Sequence, residues 1–190
     1  DTRARTNKLL IGFENKLQTK RRGAVVDLVR SLLTTEYRFK DNPTTASFGD
    51  VIWTNELYVN KYVTVRSDVT YDPDQRNMKT ANIDLYLKDE ERWEFDISRR
   101  WTHEDDDIVT AQLSYIFNPK WRVVVYGRAD LFKGSTVIQD QQYSFVRDLH
   151  SWEMEFAYRD KNQYEDNGSE FWVIFRLKAA PSKGMSPSKG

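Results

Sequence analysis

Alternation of apolar and polar side chains, sustained along most of the chain, limits most strongly what this sequence can fold into. Between residues 152 and 159, Trp152, Met154, Phe156 and Tyr158 alternate with Glu153, Glu155, Ala157 and Arg159. A period of two sorts these residues onto opposite faces of an extended chain, whereas a helix would scatter them. The same rule puts Leu9, Ile11, Phe13 and Leu17 on one face. It sets Val109, Ala111, Leu113, Tyr115 and Phe117 against Thr110, Gln112 and Ser114. It also sets Trp121, Val123, Val125, Ala129 and Leu131 against Arg122, Tyr126, Arg128 and Asp130. Extended segments are expected over 7–19, 25–39, 48–59, 62–71, 80–88, 93–101, 108–117, 121–131, 137–147, 152–159 and 170–178. The second also fits a helical spacing through Val25, Leu28 and Leu32, but its Thr pair and aromatic end favour a strand.

Alternation alone does not say which solvent the apolar face meets. It could be the core of a soluble β-protein, or lipid around a barrel with a wet lumen. The 190 residues suffice for one domain. Lys plus Arg and Asp plus Glu balance at 29 each, which leaves no basic field for nucleic acid. With no Cys, the chain can form neither an internal disulfide nor a thiolate metal site. No apolar run is long enough for a membrane-spanning helix. A mean hydropathy of −0.74 still suits a transmembrane barrel, which spends only alternate residues on lipid. No signal peptide precedes Asp1, as expected of a processed exported protein or of a fragment.

The connections favour lipid. Short turns at 20–23, 60–61, 89–91, 118–120 and 148–151 alternate with longer polar connections at 40–49, 72–79, 102–107, 132–137 and 160–169. Outer-membrane barrels have this rhythm, with tight periplasmic turns and longer extracellular loops. Tyr62, Trp93, Trp121 and Trp152 each follow a tight turn, at one height, as an interfacial girdle would. The expected fold is all-β, an antiparallel up-and-down transmembrane β-barrel portion over 1–180, with a disordered Pro/Ser/Gly-rich tail over 181–190. An odd strand count implies at least one further strand upstream, since single-chain bacterial barrels are even-numbered.

The runs "TAQLSYIFNPKWRVVVYGRADL", "QQYSFVRDLHSWEMEFAYRD" and "EFWVIFRLKAAP" resemble the C-terminal barrel of the lipopolysaccharide-assembly protein LptD family, also called organic-solvent-tolerance protein. "NKLLIGFENKLQTKR" looks like an earlier barrel strand of that family, so the resemblance covers about residues 7–181. It implies a plugged barrel in the cell outer membrane, without catalysis or cofactor. Such a barrel receives lipopolysaccharide from periplasmic bridge proteins, holds a lipoprotein plug of the LptE type, and releases its cargo through a lateral seam. The candidate seam strand is Glu170, Phe171, Trp172, Val173, Ile174, Phe175, Arg176 and Leu177, whose lumen face carries Trp172 and Ile174. In many relatives the matching turn has a cysteine where this chain has Ser151, so disulfide-controlled maturation is not implied here.

Residues that could carry other chemistry are few. His103 and His150 fall at opposite ends of the expected barrel and cannot share a metal or activate one serine. Glu104 to Asp107 could bind divalent cations, but reads better as a solvated loop. Glu153 and Glu155 could mimic a glycosidase dyad, which a polar lumen explains better. The basic "KRRG" over 20–23 suits a solvated turn more than a lipid-phosphate site. The alternatives to an assembly barrel are a diffusion porin and a soluble antiparallel ligand-binding protein.

Overall fold

The computed structural model describes residues 7–21, 23–39, 48–89, 92–131, 136–163 and 166–178. The expected tail lies outside them. The described residues form one 11-stranded antiparallel sheet in strict chain order. Its strands are β1 (Lys8–Arg21), β2 (Ala24–Arg38), β3 (Val51–Asn60), β4 (Val63–Asp72), β5 (Asn77–Asp89) and β6 (Trp93–Thr102). They continue with β7 (Asp107–Asn118), β8 (Trp121–Asp130), β9 (Val137–Asp148), β10 (Trp152–Gln163) and β11 (Asp166–Leu177). The ambiguous second segment is a strand. Its partners on both sides, Leu17↔Val29 and Val29↔Leu57, place its apolar residues in cross-strand rows that a helix could not join.

Because every neighbour is antiparallel, all odd-numbered strands run one way. The connections 22–23, 61–62, 90–92, 119–120 and 149–151 therefore share one end of the sheet, the turn end. The other connections share the opposite, loop end. Their expected length asymmetry holds only in part. The β4–β5 connection narrows to 73–76, where the Asp72 carboxylate accepts from the backbone N–H groups of Asp74 and Gln75. The β10–β11 connection narrows to 164–165, because both strands run on through the polar segment taken from sequence as a loop. Polar composition alone did not reveal that these residues pair across a hairpin.

The sheet is open and not closed into a barrel, with the expected seam strand at one margin. β1 pairs with β2 alone and β11 with β10 alone. Parity gives the physical reason: β1 and β11 run in the same direction, so they cannot meet as antiparallel neighbours. The seam strand is accordingly an edge.

Pairing also fixes the faces, since residues directly opposite share one side. One row runs Tyr115↔Val123↔Phe145↔Phe156↔Val173. Its counterpart on the other face runs Arg122↔Val146↔Glu155↔Ile174. Among the described residues no second layer folds over the sheet. Among the described residues, Val146 at 5% exposure and Ala157 at 1% are the buried apolar side chains, and both lie on the polar face. A single-layer sheet with so little core leaves its large side chains uncovered.

Two backbone positions depend on glycine. Gly23 adopts φ +84 in the β1–β2 turn, a conformation that strains residues with a Cβ. Gly49 donates its N–H to the Glu36 carbonyl at 2.7 Å beside the Tyr37↔Phe48 bridge. A Cβ there would stand 2.5 Å from Glu36 Cγ.

Candidate functional site

The polar face is laced by ion pairs between neighbouring strands. Arg30 joins Glu14 at 2.8 Å, Arg66 joins Glu56 at 3.3 Å, and Arg100 joins Asp84 at 2.6 Å. Arg159 grips Asp140, which is only 3% exposed. Arg176 spans two carboxylates of β10, Glu153 at 3.0 Å and Glu155 at 2.5 Å. Arg122 approaches Glu153 from the other side at 3.7 Å. Glu153 and Glu155 are thus both held by arginines. Hydroxyls and amides fill the intervals, as where Ser98 and Thr110 hydrogen-bond at 2.6 Å. A small apolar patch interrupts this face at its β11 side. There Trp172 and Ile174 pair with Ala157 and Glu155, beside buried Val146 and Ser144.

The other face is apolar, with large side chains exposed on every strand but β6 and β8, where they are half-buried. Phe13, Leu33, Trp53, Leu57, Ile83, Leu113, Phe145 and Tyr158 are all exposed there, and Phe171 is 67% exposed. Patches this large are not left to water in ordinary monomers. Trp93, Trp121 and Trp152 all lie on this face at the turn end, two residues before Phe95, Val123 and Met154. Tyr62 sits at the same end in the β3–β4 turn, with the Lys61 ammonium 4.6 Å from its ring centroid.

Sequence reasoning missed a second aromatic group at the loop end. Tyr37, Trp53, Tyr71 and Trp101 share the apolar face there, in rows with Leu9, Leu33, Val51 and Ala81. Tyr37 packs edge-on against Phe48 at 5.1 Å and Phe39 at 5.3 Å. Each of these aromatics was visible in the sequence. Their common height was not, because the loop-end strand boundaries were set too short or too long there.

The apolar face is also less uniform than alternation implied. Asn15, Ser31, Asn55 and Ser67 form a row through β1–β4. Part of that row satisfies itself: Trp53 Nε1 donates to Ser31 Oγ at 2.8 Å, and Ser31 Oγ donates to Asn55 Oδ1 at 2.8 Å. Arg99 also lies on this face, and Asp107 neutralises it through bonds of 2.8 and 2.7 Å.

On the seam strand, Phe171, Val173, Phe175 and Leu177 take the apolar face, while Glu170, Trp172, Ile174 and Arg176 take the polar one. His103 and His150 lie at opposite ends, as expected. Among the described residues no group of His, Cys, Asp and Glu is arranged to hold a metal. The acidic run does not converge: Asp107 is spent on Arg99, and Glu104 is exposed at φ 60. Arg21 of the basic turn donates to the Val59 carbonyl at 2.8 Å, and Arg22 lies outside the described residues. An all-β antiparallel meander with one apolar and one ionic face is the class these observations define. No protein-family model matches the chain, and no curated protein matches it in sequence.

Proposed function

We propose that this chain is wall of an outer-membrane β-barrel, with its apolar face on membrane lipid and its ionic face lining a wet lumen. The observation that carries this reading is the separation of faces. Large apolar side chains stand exposed on one side of every strand but β6 and β8, where they are half-buried, while the other side is cross-linked by Arg–carboxylate pairs. In water such a face would aggregate; in a bilayer it is solvated. The aromatic groups at both ends of that face suit the two membrane interfaces. On this reading Tyr62, Trp93, Trp121 and Trp152 form the girdle at the turn end.

The particular role proposed is lipopolysaccharide transport to the outer leaflet, without catalysis. It rests on the resemblance to the LptD family carried by the sequence runs over 110–131, 141–160 and 170–181. The partners are then lipopolysaccharide, a lipoprotein plug and periplasmic bridge proteins. The open edge of β11 suits a seam, and Trp172 and Ile174 give its polar face an apolar surface for acyl chains or for the plug. Photo-crosslinking residues at Tyr126 and Trp172, expressed in a Gram-negative cell, test the cargo. Capture of lipopolysaccharide at these positions is expected. A porin would instead show solute flux and no lipopolysaccharide adduct, and that result would remove the transport reading.

A further inference from the structure

We propose that Trp121 and Arg147 together form a binding site for the phosphodiester of an anionic glycerophospholipid at the turn end of the apolar face. The proposal rests on the lipid-facing reading of that face. Trp121 opens β8, and Arg147 stands directly opposite it on β9. The guanidinium carbon lies 5.1 Å from the centroid of the Trp121 rings. On its other side Arg147 pairs with Met154, and Phe145 precedes it by two residues on the same face. This is therefore a cation at the edge of an apolar surface.

It lacks the counter-charge that the arginines of the ionic ladders have. Arg99, Arg100, Arg159 and Arg176 each hold a carboxylate. Among the described residues Arg147 has no carboxylate partner, and its guanidinium lies over the indole. Lys120, next to Trp121 in the chain, likewise makes no ion pair among the described residues. A guanidinium over an aromatic ring keeps its N–H donors for an external oxyanion, and phosphate oxygens match their fork geometry. The tryptophans beside it belong at the headgroup level, where phosphates lie. Indole, uncompensated guanidinium and neighbouring ammonium thus coincide where a bilayer would present an anion.

The full chain, reconstituted in phosphatidylcholine vesicles, tests this through tryptophan quenching by bromine-labelled acyl chains. The label is carried either on phosphatidylglycerol or on phosphatidylcholine, at equal mole fraction. The wild type should be quenched with about fivefold preference for phosphatidylglycerol, as expected for a basic residue near an anionic headgroup. Arg147→Gln should lose most of that preference and Arg147→Lys should keep part of it. Equal quenching by both lipids, or a preference unchanged in Arg147→Gln, would overturn the site while leaving the lipid-facing sheet intact. No quenching by either lipid would overturn both.

Discussion

Asp140 shows what single residues contribute to this sheet. Its carboxylate is nearly buried on the polar face and is bound by Arg159 from the neighbouring strand. Asp140→Ala would leave that guanidinium without its acceptor and should cost about 1–3 kcal/mol in urea unfolding of the vesicle-reconstituted chain. Asp140→Asn keeps one acceptor and should cost less. Equal losses would mean that Arg159 finds water instead. Gly49→Ala should also destabilise, by about 1–3 kcal/mol, because the new methyl meets Glu36 Cγ and the Tyr37↔Phe48 bridge must shift. A wild-type unfolding midpoint in Gly49→Ala would mean that Glu36 moves aside freely. Alternation foretold which face Arg122, Glu155 and Arg176 take, because parity is a property of one strand. It could not pair Arg159 with Asp140, since partners follow from register between strands.

At the scale of one strand, β8 bears the contrast between faces most cleanly. Val123 and Val125 share the apolar face with Leu113 and Phe145, while Arg122, Val124, Tyr126 and Arg128 share the ionic one. Val125→Arg should cost about 2–4 kcal/mol of stability in lipid, and Tyr126→Arg on the other face should cost far less. Equal costs in a vesicle-refolding titration would contradict the assignment of solvents. Strand existence was readable from period two, including β2 despite its helical undertone. Strand ends were not. β10 and β11 extend through Asp160 and Asn167, residues whose polarity signals a loop until their pairing supplies the backbone hydrogen bonds. The alternation holds to Phe117, whose ring meets Tyr115 edge-on at 5.1 Å, although the β7–β8 register shifts between Ile116 and Asn118.

For the whole molecule, the governing fact is a broad sheet with almost no core of its own. Its open edges at β1 and β11 run in one direction, so antiparallel closure requires a strand of opposite direction between them. Edge strands are unstable in lipid unless paired. On the proposed transport role, cysteines along 170–177, crosslinked to whichever strand pairs with β11 in the assembled barrel, should block lipopolysaccharide export while leaving the barrel folded. Normal export through a locked edge would remove the seam from the proposal.

The central claim is that the apolar face meets lipid. The chain has no native Cys, so single cysteines at 122 to 129 can each carry a spin label without background. Collision with lipid-soluble oxygen and with a water-soluble nickel chelate would then be measured in vesicles. Lipid on the apolar face should give a period of two, with oxygen favoured at 123, 125 and 129 and nickel at 122, 124, 126 and 128. Residue 124 is decisive because valine is apolar there yet stands between Ser114 and Ser144 on the ionic face. Oxygen preference at 124 equal to that at 123 and 125, or nickel access at every position, would contradict the membrane assignment.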